Sequence, residues 1–314
     1  MAWVKKGHIF QPDGQHWWNQ SHAQLPVVER IGNGRLRVYY TSRDEQGRSH
    51  TSYFEVAESD PAEMLYVHDA PILPIGEPGC FDDCGVMGTW VLDVGETKYL
   101  YYIGWTVRNT VPYHNSIGLA VSRDGGQTFE KFARGPLFSP TPEEPYFTGT
   151  ACVILDDDGV WKNWYLSCTQ WRSVQGRMEP FYHLKYAESD DGVHWRRRGI
   201  VAIDYKSPAE GGIVKASVIK EAGVYKMWYA FRNGEDYRNN PANSYRIGYA
   251  ESANGIDWQR LDEQVGLDVS PSGWDADMLA YPHVIDCASG RYLFYNGNGF
   301  GRSGIGYAQW VEDD

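Results

Sequence analysis

Cysteine is scarce: Cys80, Cys84, Cys152, Cys168 and Cys287 are the five in 314 residues. An odd count at spacings that fit no zinc or thiol-redox pattern argues against a disulfide framework and a cysteine-built metal or redox centre. The five read as reduced residues of a core or a pocket wall. Long apolar runs are also missing. No stretch approaches bilayer-crossing length, so no membrane partner is expected. The segment Met1-Ala2-Trp3-Val4-Lys5-Lys6-Gly7 lacks an apolar run of signal-peptide length; taken as the native start, it predicts a cytoplasmic protein. Blocks of positive charge are absent as well. Net charge is −12 and the longest basic run is Arg196-Arg197-Arg198, which speaks against a nucleic-acid partner. What is plentiful is aromatic side chains, 15%, and glycine, 34 residues, a composition suited to short strands and tight turns.

An aromatic-rich strand recurs five times: Leu36-Arg37-Val38-Tyr39-Tyr40, Tyr99-Leu100-Tyr101-Tyr102-Ile103, Lys162-Asn163-Trp164-Tyr165-Leu166, Lys226-Met227-Trp228-Tyr229-Ala230 and Tyr292-Leu293-Phe294-Tyr295-Asn296. The second aromatic of each pair falls at 40, 102, 165, 229 and 295, so the steps are 62, 63, 64 and 66 residues. A second motif follows the three middle copies, as Ile117-Gly118-Leu119-Ala120-Val121-Ser122, Leu184-Lys185-Tyr186-Ala187-Glu188-Ser189 and Ile247-Gly248-Tyr249-Ala250-Glu251-Ser252. It returns, shortened, as Ile305-Gly306-Tyr307-Ala308. A fixed long period means repeated supersecondary units that bury their faces against one another, hence one domain over residues 1–314.

Each unit reads as four short strands. In the second unit they are expected at 89–93, 98–105, 116–122 and 128–132, with turns at Val94-Gly95-Glu96 and Asp124-Gly125-Gly126. The last turn recurs as Asp190-Asp191-Gly192 and Ala253-Asn254-Gly255, followed by an aromatic each time. Four strands per unit of about 60 residues predict an all-β, five-bladed β-propeller with antiparallel blades. The fifth unit has three strands, near 279–286, 291–297 and 303–310. The segment Trp3–Phe10 resembles the missing fourth strand, so the N-terminal strand is expected to complete the last blade and close the ring.

In such a ring the connections between second and third strands share one face. They are long and dissimilar here, at Thr106–Asn115, Gln170–His183 and Arg232–Arg246, and long variable loops on a rigid scaffold are where function concentrates. Counting back from the paired aromatics aligns the starts of the five first strands. Asp83 and Glu210 each lie 19 residues before their tyrosine, Asp275 and Asp277 lie 20 and 18 before Tyr295, and His22 lies 18 before Tyr40. In the third unit the slot holds Tyr146, with Glu144 two residues earlier. The innermost strands line the axis, so Asp83, Glu210 and Asp277 or Asp275 are expected to meet there.

Clustered carboxyl groups suit glycosidic cleavage, in which one protonates the leaving oxygen and another attacks or activates water. Like-charge repulsion raises the pKa of one and supplies the acid at neutral pH. Trp105 and Trp171, with Trp17, Trp18 and Trp274, offer faces for sugar rings. Lys215, Arg232, His283 and Arg177 suit hydroxyls, an anionic substituent or phosphate, beside His22 and Glu144. The site as read calls for a carbohydrate and for no cofactor or metal; the oligomeric state is not legible.

The strand plan and the carboxylate-lined axis resemble the five-bladed β-propeller glycosidases of the arabinanase, xylosidase, invertase and levansucrase type. So do Tyr245-Arg246-Ile247-Gly248-Tyr249-Ala250-Glu251-Ser252, Asn254-Gly255-Ile256-Asp257-Trp258 and Tyr292-Leu293-Phe294-Tyr295-Asn296-Gly297-Asn298-Gly299. The resemblance spans the whole chain and implies a glycoside hydrolase using two Asp and one Glu from inner strands of different blades. On this chain those are Asp83, Glu210 and Asp275 or Asp277, with Glu144 nearby. His22 stands where many members place an Asp, a departure that keeps two alternatives open: a non-catalytic sugar-binding propeller, and a phosphorylase or transferase. The segment Ser122-Arg123-Asp124-Gly125-Gly126-Gln127-Thr128-Phe129 is similar to a sialidase-type Asp box, a turn on the face away from the active site.

Overall fold

The computed structural model describes residues 2–311. It is all-β apart from helical turns of three or four residues at Pro241–Asn243, Asp262–Gln264 and Asn298–Gly301. One sheet orders Ser21–Gly32, Arg35–Arg43, Ser49–Ala57 and Met64–Val67; a second orders Val86–Val94, Thr97–Val107, Tyr113–Ser122 and Glu130–Lys131. The third and fourth repeats have the same plan, starting from Thr148–Leu155 and Glu210–Glu221. A single parallel pairing, Tyr182 with Gly212, joins them into one nine-stranded sheet. The last sheet orders Ala280–Cys287, Gly290–Asn296, Ile305–Val311 and then Ala2–Phe10. The N-terminal strand thus pairs antiparallel with the C-terminal one, as expected, with Trp3 opposite Trp310. No helix among the described residues is long and apolar enough to cross a membrane.

The two repeated motifs turn out to be cross-strand partners. Tyr102 lies opposite Gly118, Tyr229 opposite Gly248 and Tyr295 opposite Gly306. The glycine is needed because the tyrosine ring occupies the space of a side chain: a Cβ at Gly118 or Gly248 would fall 2.5 Å from that ring. The first aromatic of each pair reaches into the next repeat. Tyr39 Oη donates to the Gly126 carbonyl at 3.0 Å, Tyr101 Oη to Gly192 at 2.7 Å and Trp164 Nε1 to Gly255 at 2.8 Å. Those carbonyls lie in the turns predicted from Asp124-Gly125-Gly126 and its copies. Each turn is built the same way, with Ser122, Ser189 or Ser252 accepting a backbone N–H.

The first strands of the five repeats lie side by side in a cycle, Ser21–Gly32 against Val86–Val94 and Ala280–Cys287, and so on around. Side-chain hydrogen bonds stitch neighbours together. Thr89 Oγ1 accepts from Ala151 N (3.1 Å), Thr150 Oγ1 from Lys215 N (3.2 Å), Ser217 Oγ from Val284 N (2.8 Å) and Asn296 Oδ1 from Leu25 N (2.9 Å). Each first strand also slips register near its middle, at Gln24/Val27, Gly88/Trp90, Gly149/Ala151, Val214/Ser217 and Ala280/His283. Leu25, Lys215 and Tyr281 take positive φ there, +55°, +58° and +56°. Such bulges re-aim side chains at functional places.

Candidate functional site

A cavity of about 310 Å³ opens where these bulges converge. Each first strand contributes to it, through Leu25, Met87, Thr150, Val214 and Tyr281. The long connections form its wall, as the loop argument anticipated: Tyr113 and Asn115 from one, Arg177 and Tyr182 from the second, Tyr237, Arg238 and Tyr245 from the third. The second of these is not a loop but a strand hairpin, Trp161–Val174 with Arg177–Ser189, its tip at Gln175-Gly176. Extension of the hairpin carries Arg177 and Tyr182 over the mouth.

The wall is aromatic and cationic. Arg43, Arg177 and Arg238 line it, and among the described residues no aspartate or glutamate does. Arg232 lies fully buried just behind. Its guanidinium stacks 3.7 Å from the Tyr237 ring and donates to the carbonyls of Pro180 and Asn233, both at 2.8 Å, with no carboxylate opposite it. The carboxylate adjoining the wall is Glu179. Burial alone would raise its pKa, but bonds from Arg238 (2.8 and 3.0 Å) and Tyr237 hold it below the ordinary value. Glu179 thereby fixes Arg238, and it also meets Arg177 Nε at 3.3 Å, so one carboxylate is shared by two of the three arginines and, among the described residues, Arg43 stands without one.

Of the residues chosen from the sequence, His22, Arg177 and Trp105 line the cavity. His22 sits at φ +65°, with Nδ1 2.8 Å from Ser21 Oγ. Burial, then the charges of Arg43 and Arg302, lower its pKa to about 4, so the ring is neutral at pH 7. Trp171 packs behind, against Tyr113 and Phe147. Lys215 and His283 are buried one layer below the cavity floor.

The carboxylates are not gathered there. Glu210 is buried in a bidentate ion pair with Arg260 (2.7 and 3.1 Å). Asp275 accepts from Tyr295 Oη (2.9 Å) and Lys5 Nζ (2.7 Å). Glu144 accepts from Tyr165 Oη, Lys185 and Arg197. Asp83 is half-buried and accepts the Gly79 N–H at 3.0 Å, while its neighbour Asp82 meets Tyr102 Oη (3.0 Å) and Lys131 (2.6 Å). Asp277 is exposed. The count located the segments that lead into the first strands but not the direction of their side chains: Glu210, Asp275 and Glu144 turn onto later strands of their own repeats, Asp83 caps its own loop and Asp277 faces solvent. The count also passed over Arg43, Tyr237, Tyr245 and Tyr281, for which the sequence carries no spacing signal.

The arrangement suits stacking of sugar rings on aromatic faces and neutralisation of an anionic group by the three arginines. No family model matches the chain. Two curated Mycobacterium tuberculosis proteins, Uncharacterized protein MT1551 and Uncharacterized protein Rv1502, are each 38% identical over 308 residues, which is 98% of this chain and 99% of theirs. Among solved structures, one described as a glycoside hydrolase superposes with TM-score 0.73 at 16% identity, covering 99% of this chain and 93% of that one. A thermostable family-43 glycoside hydrolase gives 0.68 at 17%, covering 95% and 93%. An endo-arabinase from Bacteroides thetaiotaomicron gives 0.62 at 12%, covering 98% and 99%. This chain belongs to the family of the two Mycobacterium tuberculosis proteins, and its fold is that of the propeller glycosidases.

Proposed function

We propose that the chain is a carbohydrate-active protein on a single, five-bladed propeller domain closed by its N-terminal strand. Its axial pocket takes a saccharide bearing an anionic group such as phosphate, sulfate or carboxylate. One observation carries the reading: three arginines and a ring of aromatic side chains line the cavity, with no acidic side chain among them. The strand pairing of Ala2–Phe10 with Ile305–Val311 and the cycle of neighbouring first strands support the closed ring.

The test is calorimetric titration of neutral oligosaccharides against their phosphorylated, sulfated and uronic counterparts. Acidic sugars are expected to bind at least tenfold tighter than neutral ones, and the preference to shrink with salt. Equal affinities, or binding of neutral sugars alone, overturn the reading.

Glycosidic cleavage is the second reading, favoured by the fold shared with glycoside hydrolases. It needs two carboxyl groups roughly 5–9.5 Å apart across the scissile bond. Glu179 is the buried carboxylate closest at hand, through Tyr237 and Arg238. Release of an aldose from acidic oligosaccharides by the wild type, abolished by Glu179→Gln with binding intact, would establish it. Turnover that requires added phosphate would point to a phosphorylase instead.

A further inference from the structure

Beyond the cavity the same first strands bring a second group of polar side chains together in the interior. Lys215 follows Val214, Cys152 lies two residues beyond Thr150, and His283 two beyond Tyr281; Trp90 comes from the second repeat. Lys215 is completely buried and its ammonium has no hydrogen-bond partner. That sets it apart. The other three buried lysines and arginines among the described residues all have acceptors: Arg37 has Glu55, Lys162 has Asp156, and Arg232 has two carbonyls. The Lys215 Nζ lies 5.1 Å from the centroid of the Trp90 ring, and the His283 ring lies 4.9 Å from the same ring. His283 Nδ1 is likewise buried without a partner. Two buried, unpartnered nitrogens therefore belong to groups that both approach one indole.

A buried ammonium without a counter-charge is costly, and the cluster supplies none of its own. Cys152 is no counter-ion either, because burial pushes its thiol up to about 12. We propose that this buried cluster holds a small monovalent anion, a halide of chloride or bromide size, seated against the Lys215 ammonium. The Trp90 face stabilises the cation from one side and leaves its N–H groups directed elsewhere. His283 stays neutral beside it, because burial and then the Lys215 charge hold its pKa well below the ordinary value, so the ammonium is the donor to the anion. The cluster draws on the first strands of four repeats, through Trp90, Cys152, Lys215 and His283, so occupancy ties those strands together. It stands independently of what the cavity above binds.

The test uses the full-length protein exchanged into gluconate buffer and titrated with chloride or bromide at constant ionic strength. Thermal stability is expected to rise saturably by about 4 °C as the site fills. The rise should vanish in Lys215→Met, which removes the charge and keeps the length. Crystals grown in bromide should show an anomalous peak within hydrogen-bond distance of Lys215 Nζ. A wild type that melts alike in gluconate and chloride overturns the proposal, as do bromide crystals with no anomalous peak beside Lys215 Nζ. An unchanged halide response in Lys215→Met overturns it too.

Discussion

Tyr295 donates its hydroxyl proton to Asp275 across 2.9 Å, and Lys5 closes on the same carboxylate at 2.7 Å. The tyrosine marks the repeat in the sequence and the aspartate occupies the slot counted from it. Structurally they are one latch. Tyr102 with Asp82 and Lys131 repeats it, as does Tyr165 with Glu144, Lys185 and Arg197. In the fourth repeat the partner of Tyr229 is Asp262, which shares Arg260 with Glu210. In the second, third and fifth repeats the latch pins the entering segment to the second strand and to a cation from the later strands; the first repeat lacks it, since the Tyr40 hydroxyl has no partner among the described residues. Asp275→Asn is therefore expected to lose about 3 kcal/mol of unfolding free energy, the cost of breaking a buried pair. Ligand affinity in the folded fraction should hold. Denaturant unfolding and calorimetric binding at a temperature below the transition check both halves.

Gly248 gives a second, sharper test of the repeat. Tyr229 covers it, and an added Cβ would meet the ring at 2.5 Å and Asp262 Oδ1 at 2.7 Å. Gly248→Ala should cost about 2 kcal/mol through displaced packing and a disturbed Tyr229–Asp262 bond. The third repeat carries Lys185 at this position, opposite Tyr165, and uses the longer side chain to reach Glu144 at 2.9 Å. Lys185→Gly is then also destabilising, because it removes a cation from a buried carboxylate. Opposite substitutions with the same sign of effect distinguish a position-specific latch from a general preference for small residues.

The fold was legible because its determinants are local and periodic. Tyr102 and Gly118 are a cross-strand pair, so both halves of the signal recur at the repeat length. The strand expected at 98–105 is observed as Thr97–Val107, and the one at 116–122 as Tyr113–Ser122. The site was legible where it lies on the same grid, at His22, and in the long connections, which supply Arg177, Tyr182, Tyr237 and Arg238. Direction defeated the rest. Asp82 and Asp83 sit in a tight turn ahead of Val86–Val94, where no period relates neighbouring side chains, so Asp82 is fully buried in the latch while Asp83 beside it caps the Gly79 N–H. Bulges then shift the alternation just where the cavity forms, and no spacing rule reveals a residue at φ +56° such as Tyr281.

Lys215 sets a pH signature. Burial lowers its folded pKa to about 8 from an ordinary 10.5. The folded state therefore resists protonation more than the unfolded chain does. Below about pH 8 the full penalty is present. It is relieved as pH rises from about 8 to about 10.5, where the unfolded chain holds the extra proton. In halide-free buffer the unfolding free energy of the wild type, measured relative to Lys215→Met, should rise by about 3 kcal/mol across that interval. Below pH 8, Lys215→Met should be the more stable protein. A flat difference between the two over this range contradicts a buried, unpaired amine.

Arg43 and Arg238 separate affinity from stability at the cavity. Arg43 stands in the wall with a single bond to a side chain, from Nε to Gln24 Oε1 at 3.1 Å, whereas Arg238 is clamped by Glu179. Arg43→Gln should leave stability within about 0.5 kcal/mol, since it ends no buried ion pair. It should still weaken binding of an acidic saccharide roughly tenfold to a hundredfold, the loss of one charge-assisted contact. Arg238→Gln should do both, because Glu179 is left buried without its strongest partner and Tyr237 loses its anchor. The double variant Arg238→Gln with Glu179→Gln restores charge balance, so stability should recover while affinity for the acidic sugar stays low. Neutral sugars should bind all three proteins alike. A parallel fall for neutral and acidic ligands would mean that the arginines shape the wall and do not read charge.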